Sequence, residues 1–246
     1  MTEVLKREDD ETIAYLKRGG KTPGVLWLGG FKSDMAGTKA EALDAWATEH
    51  GRAYTRFDYY GHGQSTGEFR KGTISRWRDD ALAVLDRLTE GPQVLVGSSM
   101  GAWIALLAAR MRPERLHALV LIAPAPDFTE DLMWAEMNWE VRAQIMERGE
   151  WQRPSAYGEE AYAITRALIE DGRQNLVLRE PISLDCPVRI LQGMKDPDVP
   201  WQHAMRLVDA IPGDVAVTLI KHGDHRLSTP ADLQRITQAL DALLTP

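Results

Sequence analysis

Apolar residues recur along the chain in short runs bounded by glycine, proline or charge: Val25-Leu26-Trp27-Leu28, Gln93-Val94-Leu95-Val96, Ala118-Leu119-Val120-Leu121-Ile122, Val188-Arg189-Ile190-Leu191 and Val215-Ala216-Val217-Thr218-Leu219-Ile220. Such runs are too short for buried helices and read as buried strands. Between them the apolar spacing changes to that of a helix. Ile74, Trp77, Ala81, Leu85 and Leu88 share one face of a segment stopped by Gly91-Pro92. Further helices are predicted over Ala102 to Met111, from Pro200 through Ala204, Val208 and Ile211, and from Thr229-Pro230 through Leu233, Ile236, Leu240 and Leu243. Strand and helix patterns alternating in this way predict an α/β protein with a mostly parallel central sheet covered by helices on both faces.

One stretch departs from the alternation. From about Pro126 to Arg179 no strand pattern is found; Trp134, Met137, Val141 and Ile145 share one helical face, and a second helix is predicted over roughly Glu159 to Asp171 with Gly172 as its stop. The expectation is a helical lid inserted at about 126–179 into a single domain spanning 1–246. The alternative is a long crossover with the same residues. The stretch is rich in large adaptable side chains, Trp134, Met137, Trp139, Met146 and Trp151. An inward face made of these would shape an apolar acyl pocket, which makes Trp134, Met137 and Trp139 the candidate substrate contacts. The bland alternative is that all of them pack on the core.

Composition narrows the classes of partner. The 246 residues are 44% hydrophobic and 26% charged, as in an ordinary globular protein. A formal net charge of −7, with basic residues scattered among acids, argues against nucleic acid as a partner, because backbone neutralisation needs clustered Lys and Arg. No apolar run approaches the length of a membrane span, so no membrane insertion is expected. The single cysteine, Cys186, excludes an internal disulfide and a cysteine-based zinc cage. The amino terminus has neither an apolar core segment nor an Arg/Ser-rich, acid-poor character, and a cytoplasmic location is expected.

The chemistry is carried by Gly97-Ser98-Ser99-Met100-Gly101, which follows a predicted strand and precedes a predicted helix. That context suits a sharp strand-to-helix turn presenting Ser99, not Ser98, as a nucleophile, with glycines where side chains would collide. A serine hydroxyl needs a base and a group that orients the base. His225 in Lys221-His222-Gly223-Asp224-His225 is the candidate base, favoured over His222 because it lies beyond the glycine. Asp196, first in the loop after the strand at Val188, is the candidate acid, with Asp198 as its rival. The backbone N–H groups of Met100 and Phe31, the latter in Leu28-Gly29-Gly30-Phe31, are the candidate oxyanion donors. A metal reading of His222, Asp224 and His225 finds no further imidazole nearby, so no metal and no cofactor are expected. His50, His62, His117 and His203 are read as structural or solvated.

With these motifs placed, and with Phe57-Asp58-Tyr59-Tyr60-Gly61-His62-Gly63, Met35-Ala36-Gly37-Thr38-Lys39-Ala40, Cys186-Pro187-Val188-Arg189 and His222-Gly223-Asp224-His225-Arg226, the chain resembles the α/β-hydrolase superfamily. In particular it is similar to a branch that cleaves acyl thioesters from proteins and acyl glucuronides. The resemblance implies a serine esterase or thioesterase with Ser99, Asp196 and His225 as triad, acting on a small-molecule ester, an acyl thioester or an acylated protein. The same fold leaves open carbon–carbon hydrolysis, perhydrolysis, or a non-catalytic small-ligand binding module.

Overall fold

The computed structural model describes residues 1–154 and 161–244. In chain order its elements are β1 (Glu3–Lys6), β2 (Thr12–Arg18), β3 (Lys21–Leu28), α1 (Thr38–His50), β4 (Arg52–Phe57), α2 (Ile74–Leu88), β5 (Gln93–Ser98), α3 (Met100–Met111), β6 (Leu116–Ile122), α4 (Trp139–Arg148), β7 (Glu150–Arg153), β8 (Tyr162–Thr165), α5 (Arg166–Gln174), β9 (Val188–Gly193), α6 (Trp201–Ala210), β10 (Val215–Ile220) and α7 (Pro230–Leu244). The central sheet has eight strands in the order β1-β2-β4-β3-β5-β6-β9-β10. Strand β2 pairs antiparallel with β1 and β4, and every other neighbouring pair is parallel.

Each central strand divides its side chains between two cores because successive residues of a strand point to opposite faces. Leu26, Leu28, Leu95, Leu119, Leu121 and Ile190 meet Trp77 and Leu85 of α2, Trp103 of α3 and Leu207 of α6 on one face. Val25, Trp27, Val94, Val96, Val120 and Ile122 meet Leu43 and Trp46 of α1 and Ile236 and Leu240 of α7 on the other. The fully apolar runs of β5 and β6 follow from this double coverage, and the chain has the expected mostly parallel sheet with helices on both faces.

Two features of the sheet depart from expectation. β10 is the last strand of the sheet and is not buried: Ala216, Thr218 and Leu219 are exposed, and only Val215, Val217 and Ile220 pack in part against the two cores. β1 carries Glu3 and Lys6, β2 Lys17 and Arg18, and β4 Arg52 and Arg56 among their apolar residues, so they do not stand out as apolar runs.

The stretch from 126 to 179 is not helical throughout. A π-helical turn over Thr129–Trp134 is followed by α4, capped by the Asn138 side chain, and by the antiparallel hairpin of β7 and β8. The second predicted helix is displaced: its expected start at Glu159 lies outside the described residues, 162–165 form β8, and α5 begins at Arg166 after Thr165, whose hydroxyl accepts the Leu168 N–H. Gly172 lies inside α5 and does not stop it. A Cβ there would stand 2.2 Å from Thr129 Oγ1, so the glycine lets α5 lie against the π-helical turn. The base of the stretch is closed by one buried carboxylate: Asp127 accepts the Val177 and Leu178 N–H groups at 2.8 and 2.9 Å. Burial raises its pKa. Among the described residues, no helix is long and apolar enough to cross a membrane.

Candidate active site

Ser99 stands between β5 and α3 with φ 55° and ψ −117°, a backbone conformation rare for a residue with a Cβ. Its neighbours explain how the turn closes. A Cβ on Gly97 would fall 2.4 Å from the Gly101 carbonyl oxygen, and one on Gly101 would fall 2.1 Å from the Leu28 carbonyl oxygen. Both contacts are with backbone, so neither position tolerates a side chain in this geometry. The Ser99 N–H donates to the Ile122 carbonyl at 2.9 Å, which ties the turn to β6.

His225 and Asp196 arrive from two loops at the carboxyl ends of β10 and β9. The loops touch: a Cβ on Gly193 would lie 2.4 Å from the Gly223 carbonyl oxygen, and the Lys195 N–H donates to that same oxygen at 2.9 Å. His225 Nε2 is 3.1 Å from Ser99 Oγ and His225 Nδ1 is 2.8 Å from Asp196 Oδ2. With Nδ1–H donating to the carboxylate, Nε2 is left as the acceptor for the serine hydroxyl. Asp196 Oδ1 accepts the Asp198 and Val199 N–H groups, and Oδ2 also accepts from the buried Gln192 side chain at 3.1 Å. Asp196, Asp198 and His225 offer ligand atoms within 4.8 Å of one another, but both Asp196 oxygens are already taken up by these donors. Gln192 escapes a sequence reading; its only signal is one amide at the end of an apolar strand. His222 lies exposed in the turn after β10.

The two expected oxyanion donors come from different elements: Met100 follows Ser99 directly, and Phe31 lies in the loop after β3. Met100 is the first residue of α3, so its N–H has no partner within the helix. Gly30 runs beside Ser99, where an added Cβ would lie 3.5 Å from the Ser99 Cβ. The Gly30 carbonyl accepts the Ser33 N–H at 3.1 Å. In a trans peptide the N–H points opposite to the carbonyl, so this bond turns the Phe31 N–H away from Ser33. The Phe31 ring is held edge-on by Phe69, Trp77, Phe128 and Tyr162 at 5.0 to 5.8 Å.

The other histidines each bond a backbone group, His50 while remaining exposed. His50 bonds the Trp46 carbonyl, His117 the Leu243 carbonyl and His203 the Pro126 carbonyl. His62, 4% exposed, is not solvated in its glycine-rich loop but reaches the loop of Phe31.

Ser99 and His225 open into a cavity of about 650 Å³, within the range of ligand sites. Phe31, Phe128, Leu132, Met133 and Tyr162 give it apolar walls, while Lys39, Arg153 and Arg226 line it with charge. Burial and the neighbouring Arg226 lower the Lys39 pKa to about 8. The candidate contacts Trp134, Met137 and Trp139 do not line it. Trp139 is 74% exposed, and Trp134 and Met137 pack back against the core, the Trp134 ring lying under the guanidinium groups of Arg142 and Arg173. The cause is the helix break before Asn138: the π-helical turn and α4 are separate elements, so no continuous helical face runs from Trp134 to Ile145.

Comparison with known proteins bears on the family and the fold. The family model described as "Serine aminopeptidase, S33" matches residues 26–163. The chain is 40% identical over 242 residues to the Homo sapiens "Palmitoyl-protein thioesterase ABHD10, mitochondrial", covering 98% of this chain and 79% of that protein. Among solved structures, a putative hydrolase from Agrobacterium vitis S4 superimposes with a TM-score of 0.95 at 47% identity, covering 99% and 98% of the two chains. The α/β hydrolase domain-containing protein 10 from mouse superimposes with a TM-score of 0.92 at 40% identity over the same shares. The mitochondrial location in the relatives' names runs against the cytoplasmic expectation, which is therefore dropped.

Proposed function

The chain belongs to the α/β-hydrolase family, and from that premise we propose that it is a serine hydrolase that cleaves carboxylic esters or thioesters through an acyl-enzyme. The observation that carries this reading is the continuous line from Asp196 Oδ2 through the His225 imidazole to Ser99 Oγ, at 2.8 and 3.1 Å. His225 Nε2 takes the hydroxyl proton as Ser99 Oγ bonds to the acyl carbon, and the carbonyl oxygen becomes an oxyanion between the Phe31 and Met100 N–H groups. The tetrahedral species collapses, the bond to the leaving oxygen or sulfur breaks, and His225 returns the proton to it. Water then attacks the ester on Ser99, giving its proton to His225, and the acid departs as Oγ is reprotonated. Asp196 holds the imidazole in the tautomer this cycle needs.

The apolar walls of the cavity, together with the acyl-protein substrate named for the relatives, support an acyl thioester or an ester of an apolar acid as substrate class. The test is twofold. The protein is expected to be labelled at Ser99 by a fluorophosphonate probe and to turn over acyl thioesters and oxygen esters from a panel of two to sixteen carbons. Absence of both labelling and turnover at neutral pH would overturn the reading in favour of a ligand-binding module.

A further inference from the structure

His62 takes no part in the proton transfers above, yet it is buried 30 residues along the chain from the oxyanion loop and bonded to it. Its Nε2 lies 3.1 Å from the Lys32 backbone nitrogen. A backbone nitrogen only donates, so Nε2 is the acceptor. The other ring nitrogen, Nδ1, lies 3.1 Å from the Tyr60 carbonyl, which only accepts, so Nδ1 carries the proton. Both ring positions are thus defined by their partners. The Tyr60 carbonyl also accepts the Trp77 indole N–H at 3.1 Å, and the Tyr60 N–H donates to the buried Asp80 carboxylate at 2.8 Å, so the far side of the imidazole is anchored to α2. The ring is held edge-on by Tyr59, Phe69 and Trp77 at 5.2 to 5.8 Å. Burial lowers its pKa to about 4, which keeps Nε2 unprotonated and able to accept at neutral pH.

The bond falls where the loop is least stable by itself. Gly30 to Ser33 form a turn closed by the Ser33 N–H and the Gly30 carbonyl, and Lys32, at its third position, has φ 59°. That position in a turn with positive φ favours glycine, and a lysine there disfavours it. The alternative turn flips the peptide between Phe31 and Lys32 and carries the Lys32 N–H away from His62. The imidazole therefore selects the observed turn and pins its Lys32 end, the residue directly after Phe31, while the Gly30 carbonyl's bond to Ser33, common to both turns, sets the direction of the Phe31 N–H.

We propose that His62 is a positioning residue for the oxyanion loop, accepting the Lys32 N–H and so fixing the turn that presents the Phe31 N–H to the reacting carbonyl. This rests on the serine-hydrolase reading, with Phe31 as a donor.

The test compares His62→Phe, which keeps an aromatic ring without an acceptor, with His62→Gln, whose carbonyl oxygen can accept where Nε2 does. His62→Phe is expected to lower kcat about tenfold to hundredfold, with KM within about twofold, and to weaken binding of a trifluoromethyl ketone analogue of the tetrahedral species by the same factor. His62→Gln recovers most of both. Adding Lys32→Gly, which makes the turn favourable without help, brings the His62→Phe enzyme back to the kcat of Lys32→Gly alone; this rescue is read from rates and survives a partial loss of melting temperature in the single variant. Unchanged kcat in a folded His62→Phe enzyme, or failure of both rescues, overturns the assignment. A wild-type protein that neither turns over substrate nor takes up the fluorophosphonate overturns instead the hydrolase reading beneath it.

Discussion

The backbone N–H of Asp198 donates to Asp196 Oδ1 at 2.9 Å, so the loop of the rival acid supports the carboxylate that faces the imidazole. With the Val199 N–H on the same oxygen and Gln192 beside His225 on the other, each Asp196 oxygen accepts from two groups. Asparagine at 196 has one carbonyl oxygen and an NH₂ that cannot accept, so it satisfies one side at the expense of the other. Asp196→Asn is expected to lower kcat by about a thousandfold or more, with the protein still folded, while Asp198→Asn costs less than about tenfold. Steady-state kinetics on one thioester check the pair, and a larger loss in Asp198→Asn contradicts the assignment.

Ser99 combines chemistry with an unfavourable backbone, and two substitutions separate them. Ser99→Ala removes the hydroxyl but keeps the Cβ at φ 55°, whereas Ser99→Gly removes both. Turnover should fall about a thousandfold or more in each. Only the glycine relieves the backbone, and after its greater chain entropy on unfolding it should be more stable than the alanine variant by about 1 kcal/mol. Thermal unfolding of the two variants decides this; equal midpoints would mean that the turn is unstrained. Ser98→Ala should retain most turnover.

How far these features were legible from sequence depends on whether neighbouring residues carried the signal. β5 and β6 are visible because both faces of each strand are covered, and the Gly97 and Gly101 spacing is visible because it brackets one serine between a strand pattern and a helix pattern, although the collision Gly101 avoids is with Leu28, far along the chain. β2 and β4 mix charge with apolar residues, and β7 and β8 are four residues each and, among the described residues, pair with one another alone, so neither pair announces itself as an apolar run. Gly172 carries the sequence signal of a helix stop because the partner that requires a glycine there, Thr129, lies far along the chain. His62 and Gln192 were missed for the same reason: each acts through a bond formed only once distant loops meet.

Two buried groups around the same loop should titrate in opposition. His62 has a folded pKa of about 4 against about 6.5 unfolded, so its contribution is fully present above pH 6.5 and is lost as pH falls towards 4. Asp80, raised to about 6 by burial, contributes in the reverse sense: fully present below its unfolded value and lost as pH rises through 6. Each term amounts to about 3 kcal/mol, and over pH 4 to 6.5 they largely cancel. Denaturant unfolding at pH 4 and pH 7 should therefore show the destabilisation of His62→Phe, relative to wild type, shrinking towards acid. Asp80→Asn should compare more favourably with wild type at pH 7 than at pH 4. Parallel pH curves for all three proteins would show that neither group is held away from its ordinary pKa.

The acyl preference should be set one turn earlier than the tryptophans suggest. Leu132 and Met133 line the cavity from the π-helical turn, facing Phe31, Phe128 and Tyr162, while Trp139 is 74% exposed outside it. Each methylene taken out of water is worth about 0.8 kcal/mol, so the specificity constant should rise about fourfold per added carbon until the apolar wall is used up. Shortening that wall with Met133→Ala or Leu132→Ala should flatten the rise or move its end, because the last carbons lose their contact, whereas Trp139→Ala should leave the profile unchanged. The measurement is kcat/KM across acyl chains of two to sixteen carbons on one thiol. A profile that peaks at acetyl in every protein would mean that the cavity does not hold the acyl chain, and one altered by Trp139→Ala alone would place the acyl path on the outer side of α4.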